Sequence, residues 1–191
     1  MGKIKAVLIT ASRRKKSNSK ILAYYFLKAL SKNNDYSVTH IDITSKKIKQ
    51  CIACKRCAKT FRCFQRDDAQ KIIDKIEKAS VVIVASPVYF CGVPGPLKMF
   101  IDRNQPQWEK NNRQLPIANR QLKAGVIILT AGDDKPEYFR AAEQEIKSFF
   151  AVNRIKTAGV LKAGGMDRQG AAGKIRKKAE KFAGKTWRKQ R

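Results

Sequence analysis

Residues 81–85 read Val-Val-Ile-Val-Ala, a run dominated by β-branched side chains with no polar interruption. A strand with one wet face alternates polar and apolar residues, so an unbroken run demands cover on both faces. The demand is met by a parallel strand in the middle of a sheet, with helices packed above and below it. Ile4-Lys5-Ala6-Val7-Leu8-Ile9-Thr10 and Gly125 to Thr130 read as two more buried strands. Tyr36 to Ile43 has mixed faces and is expected to be less buried, and Thr157 to Leu161 is expected to be the last strand.

Helical stripes fall between these strands. Ser17 or Asn18 caps the first, whose apolar residues Ile21, Leu22, Tyr25, Phe26, Ala29 and Leu30 share one side. Asp67-Asp68 opens another, with Ile72, Ile73 and Ile76 facing inward; acidic residues suit the positive end of a helix dipole. Pro94-Gly95-Pro96 leads into a helix over roughly Leu97 to Arg103. Tyr138, Phe139, Ala142, Ile146, Phe149 and Phe150 mark a fourth, and Ile175, Ala179, Phe182 and Ala183 stripe a basic C-terminal helix over about 170–188. Residues 104–123 carry no periodicity and are expected to form a loop. The order predicts an α/β fold, a doubly wound five-stranded parallel sheet with helices on both faces. Residues 1–191, 43% of them hydrophobic, suffice for one domain. In this architecture ligands bind beyond the carboxyl ends of the strands.

Four cysteines, Cys51, Cys54, Cys57 and Cys63, follow the second strand in a loop over 51–63. Thiolates this close in sequence can surround one metal centre. An iron–sulfur cluster, a zinc ion and no metal at all are the three readings. The apolar run after Lys3 and Lys5 is only Ala6-Val7-Leu8-Ile9, too short for a signal peptide. No run approaches a membrane span, so a cytoplasmic, reducing setting is expected, where clustered cysteines favour metal or redox chemistry over disulfides.

Forty-two Lys and Arg against fifteen Asp and Glu give a net charge of +27. Such a field draws nucleic acid, anionic cofactors and acidic proteins. The basic residues run along the whole chain, with concentrations at 13–16, 46–49 and 174–191, and a merely solvated surface accounts for them equally well. A basic nucleic-acid-associated protein on the same scaffold is the alternative class, although no recognition motif for nucleic acid is present.

Three loops lie at the ligand-binding edge. After the first strand, Ser12, Arg14, Ser17, Asn18 and Ser19 precede a helix N-terminus, a setting for phosphate. After the central strand, Pro87, Val88, Tyr89, Phe90 and Gly92 offer an aromatic wall for a flat ring. After the fourth, Ala131, Gly132 and Asp133 permit close backbone approach. Together they suit a mononucleotide such as FMN. No G-x-G-x-x-G follows the first strand, and Gly184-Lys185-Thr186 is no P-loop because Ala179 stands where glycine is needed. His40, the single histidine, builds no triad.

These pieces resemble the flavodoxin-like NADPH-dependent FMN reductases, and more closely their iron–sulfur flavoprotein branch. The motifs that carry the resemblance occur in family order: Ser12…Arg14…Ser17-Asn18-Ser19, with Arg13 where the family usually has proline; Cys51-Ile-Ala-Cys54-Lys-Arg-Cys57, Cys63 and Asp67-Asp68; Ser86-Pro87-Val88-Tyr89-Phe90; and Pro96 to Arg103. The resemblance implies strand order 2-1-3-4-5, noncovalent FMN, NAD(P)H as co-substrate and a homo-oligomer, dimer or tetramer, with flavins near subunit contacts. It implies a small-molecule or flavin acceptor and, if Cys51, Cys54, Cys57 and Cys63 hold a 4Fe-4S cluster, a donor such as ferredoxin. By position, the first loop holds the phosphate and the other two border the flavin. The flavin then carries the chemistry and no side chain serves as acid or base. Cys91, near the expected ring, reads as a small packed thiol.

Overall fold

The computed structural model describes residues 3–32, 35–113 and 122–188. Five parallel strands run in the order β2-β1-β3-β4-β5: β1 Ile4–Thr10, β2 Tyr36–Asp42, β3 Val81–Pro87, β4 Lys123–Thr130 and β5 Ile155–Ala163. The expected strand order is thereby observed, and with it the flavodoxin-like fold. Central β3 is paired on both sides, Leu8 with Ile83 and Ile83 with Val126.

Successive side chains of β3 point to opposite faces, which explains its unbroken apolar run. Val82 and Val84 join a core with Val7, Ile9, Ile127 and Leu129. Val81, Ile83 and Ala85 join another with Leu8, Val126 and Ile128. Burying each larger aliphatic contributes about 1.5–3 kcal/mol. The first core is closed by α3 (Asp68–Glu77), α4 (Gly95–Asp102) and α6 (Pro136–Val152), through Ile72, Ile76, Phe100, Phe149 and Phe150. The second is closed by α1 (Asn18–Leu30) and α7 (Arg176–Arg188), through Leu22, Phe26, Ala179 and Ala183. On edge strand β2 the stretch Ser37 to His40 is exposed, as its mixed pattern predicts.

Three expectations need correction. The cysteine segment is not wholly loop, because Cys57–Thr60 form a short helix, α2. The stretch 104–123 contains a helix, α5, over Gln105–Arg113, while residues 114–121 lie outside the described residues. α5 lacks an apolar stripe because it is anchored by polar contacts: Asn111 Nδ2 donates to Val152 O at 2.7 Å, and Gln107 Nε2 donates to Glu77 Oε1 at 3.2 Å. The C-terminal helix is not continuous from 170, since a 3-10 turn over Ala171–Ile175 precedes α7. Gly170, with φ of +82°, turns the chain into it.

Candidate functional site

Backbone hydrogen bonds bring the three expected loops together at one edge of the sheet. Ala11 N donates to Ala85 O at 3.0 Å, and Val88 N to Thr130 O at 2.7 Å. The loop that follows β5 joins them, with Met166 N donating to Ala131 O at 2.9 Å and Gly165 N to Gly132 O at 3.0 Å.

At the first loop Ser17 caps α1, its Oγ accepting from Lys20 N at 3.3 Å and lying 2.9 Å from Ser19 Oγ. Helical geometry leaves the N–H groups of Asn18 and Ser19 without acceptors inside the helix. Ser12, Ser17, Asn18 and Ser19 are all buried, whereas Arg13 to Lys16 are exposed. Two residues have duties that the sequence did not announce. Asn18 Nδ2 donates to Met166 O and Arg168 O, both at 2.8 Å, and its Oδ1 accepts from Ala172 N at 3.2 Å. Arg14 Nη1 donates to Asp167 O at 3.1 Å. Both side chains brace the loop after β5.

The second loop is a tight reversal. Tyr89 and Gly92 exchange two backbone hydrogen bonds of 3.0 Å, and Phe90 and Cys91 between them have φ of +47° and +65°. A two-residue turn with both φ positive normally selects glycine or asparagine. Held in other residues it costs about 1–3 kcal/mol per position, a strain found where geometry serves function. Phe90 at the tip is fully exposed and Tyr89 half exposed. α6 holds the reversal: Ala142 N donates to Cys91 O at 3.0 Å, and Glu145 Oε2 accepts from Val93 N at 3.2 Å. Nothing in the sequence pattern singled out Glu145.

At the third loop Gly132 packs against the loop after β5. A Cβ there would lie 2.6 Å from the Asp167 carboxylate oxygens. Its close approach is to the loop after β5. Ala131 is buried and Asp133 is exposed, accepting from Asp134 N and Lys135 N.

The cysteines form a second centre. Cys51, Cys54, Cys57 and Cys63 all line one cavity of about 620 Å³, whose far wall is α5 with Trp108, Glu109 and Asn112. Cys91 is elsewhere, in the reversal after β3. Around Cys51 the backbone is strained, with Ala53, Lys55 and Phe61 at φ of +52° to +56°. Burial first, then Glu109, Cys63 and Cys51, push the Cys57 thiol up. Among the described residues no three His, Cys, Asp or Glu side chains close on a point fit for one metal ion.

Beneath the cavity lies a buried ion pair. Arg103 and Asp67 have side chains 1% and 4% exposed. Arg103 Nη1 donates to Asp67 Oδ2 at 2.5 Å and to Lys49 O at 2.7 Å; its Nη2 reaches Asp67 Oδ1 at 3.3 Å and Gln65 O at 3.4 Å. Asp67 also accepts from Lys49 N at 2.9 Å and Ala69 N at 3.0 Å. Burial raises the Asp67 carboxyl, but the Arg103 hydrogen bond and the Lys49 and Ala69 N–H groups outweigh it and hold it below the usual range. Burial alone would weaken the Arg103 charge; the Asp67 hydrogen bond and the Cys63 and Asp67 charges more than restore it.

The family model of NADPH-dependent FMN reductases matches residues 4–163. This chain belongs to that family. It is similar to an iron-sulfur flavoprotein of Archaeoglobus fulgidus, 38% identical over 70% of this chain and 58% of that protein. An iron-sulfur flavoprotein of Methanocaldococcus jannaschii is 33% identical over 82% of this chain and 76% of its own length. This chain therefore matches little more than half of the Archaeoglobus protein. A solved FMN-dependent NADH-azoreductase of Bacillus anthracis in complex with FMN superposes with TM-score 0.61. It shares 16% identity and is matched over 95% of this chain and 98% of its own, a likeness of fold.

The residues fit the FMN expected of an FMN reductase. Buried hydroxyls of Ser12, Ser17 and Ser19 and open N–H groups at α1 suit a phosphate, and the Tyr89–Gly92 reversal stands across the same sheet edge. Cys51, Cys54, Cys57 and Cys63 on one cavity supply the donor type that an iron–sulfur cluster or zinc takes. Zinc requires four sulfurs each about 2.3 Å from one centre. A four-iron cluster takes its thiolates at separate iron atoms, and four cysteines meet that count.

Proposed function

We propose that this chain is an FMN-binding oxidoreductase that takes electrons from a reduced nicotinamide, or from a ferredoxin-type donor through a 4Fe-4S cluster, and passes them to an acceptor. The observation that carries the flavin half is that buried hydroxyls at the N-terminus of α1 and the strained aromatic reversal after β3 share the carboxyl end of one parallel sheet. Bound FMN supplies hydride acceptance and electron delivery. The protein's part is binding and orientation. Ser12, Ser17, Ser19 and the free N–H groups of α1 hold the phosphate, with Asn18 and Arg14 fixing the loop beside them. Pro87, Val88, Tyr89 and Gly92 border the ring, and Ala131, Gly132 and Asp133 form the opposite lip. The exposed Phe90 suits a contact with a second subunit in a homo-oligomer.

The observation that carries the cluster half is the convergence of Cys51, Cys54, Cys57 and Cys63 on one cavity. Lys55, Arg56, Lys59 and Arg62 beside them give a basic rim suited to an acidic electron-transfer protein. The test is one absorption spectrum of anaerobically purified protein before and after NADPH, with iron and sulfide analysis. Flavin bands that bleach with NADPH, and iron and sulfide in equal amounts, are expected. A colourless protein that also refuses added FMN ends the flavin reading; intact thiols without iron or sulfide end the cluster reading.

A further inference from the structure

We propose that Arg103 is the positioning residue of the cysteine site, pinning both necks of the cysteine loop and donating its remaining N–H to sulfur, so that the reduction potential of a bound cluster depends on it. The inference rests on the cluster reading above, and it concerns a residue that belongs to α4's C-terminal end, far in sequence from the thiols.

A guanidinium carries five N–H donors. Four contacts account for the terminal nitrogens of Arg103: Lys49 O and Asp67 Oδ2 on Nη1, Gln65 O and Asp67 Oδ1 on Nη2. Lys49 and Gln65 lie just outside Cys51 and Cys63, so one side chain grips the loop where it leaves the fold and where it returns. The fifth donor, Nε, is buried and has no partner in hydrogen-bond geometry among the described residues. Buried polar groups in folded proteins are almost always paired, and one left over calls for an explanation. Arg103 also lines the cavity shared by the four cysteines, Cys63 among them. Cluster sulfurs and cysteine thiolates are anionic acceptors. Net charge and hydrogen bonds to sulfur are the terms that set a cluster's potential. A fixed cation with a donor toward sulfur favours the reduced state, which carries one more negative charge. Lysine keeps the charge but has neither the planar fork nor the Nε donor.

The test compares wild type with Arg103→Lys and Asp67→Asn, all purified anaerobically with FMN. Iron and sulfide are counted, and the cluster is titrated with dithionite under EPR; one electron enters and no bond is made or broken. Arg103→Lys is expected to retain the cluster with its potential lowered by at least about 59 mV, a tenfold change in the one-electron equilibrium constant. An unchanged potential overturns the tuning. In iron-free protein, iodoacetamide is expected to label Cys57 and Cys63 at least tenfold faster in both variants than in wild type, with FMN binding retained. Equal labelling rates overturn the clamp, and this readout decides it even where a variant takes up no iron. Wild type that binds FMN but no iron or sulfide overturns the cluster reading itself, and the tuning with it.

Discussion

Asn18, expected at the phosphate loop, spends its side chain on a neighbouring loop instead. Its amide is committed to Met166 O, Arg168 O and Ala172 N, all backbone groups beyond β5. Asn18→Ala leaves these buried groups unpaired, and a loss of about 2–3 kcal/mol in urea denaturation is expected, with weaker FMN binding. Asn18→Asp should be worse than alanine, since a carboxylate then faces two carbonyl oxygens. Cys91 is the opposite case. Left-handed backbone costs an L-residue roughly 1–2 kcal/mol, so Cys91→Gly should raise the thermal midpoint while leaving flavin binding intact. At Asp67 the sign is fixed by its depressed acidity. Its folded carboxyl titrates below the ordinary 3.8, so the unfolded chain takes up a proton first as the solution is acidified. The stability it contributes is whole above about pH 3.8 and drains away as pH falls through the folded value. Asp67→Asn should flatten that acid limb and, at neutral pH, lose about 3–5 kcal/mol by stranding Arg103.

Among the elements, Gly125 in β4 meets α6 at contact distance. A Cβ there would lie 2.5 Å from Phe150 Cε2 and 2.6 Å from Ile155 Cγ2. Gly125→Ala is expected to cost about 1–3 kcal/mol in a thermal melt, by forcing α6 off the sheet. The buried strands were legible in the sequence as unbroken apolar runs and the long helices as stripes of period 3.6, both written by tertiary burial. α5 was not, because its inward residues are Gln107 and Glu109 and its partners are polar. Two local signals did exist there: Pro106 in the first turn and the Glu109–Arg113 pair one helical turn apart. The three loops proposed to hold flavin were legible as loops from their place after strands, but their bracing by Asp167 and Glu145 was not, since neither lies in a motif. The four cysteines were plain from spacing; that Arg103 lies under them depends on folding across forty residues of chain, which no local pattern records.

For the molecule as a whole, charge is the dominant property. At +27 the chain repels itself, and most of its ion pairs are exposed pairs that contribute little. Raising ionic strength from about 0.05 M to 0.5 M shortens the screening length several-fold and should therefore raise the thermal midpoint. Among the described residues no helix is long and apolar enough to cross a membrane. Two apolar layers on a five-stranded sheet supply the rigidity, and the chemistry-bearing loops sit at its rim.

The Asp67–Arg103 grip has one more consequence. A loop whose entry and exit are fastened at a single knot is mechanically a cassette, held to the fold chiefly at its two ends. Exchange of residues 50–64 for a cysteine-free stretch is therefore expected to leave strand register and FMN binding intact, as circular dichroism and a flavin titration would show.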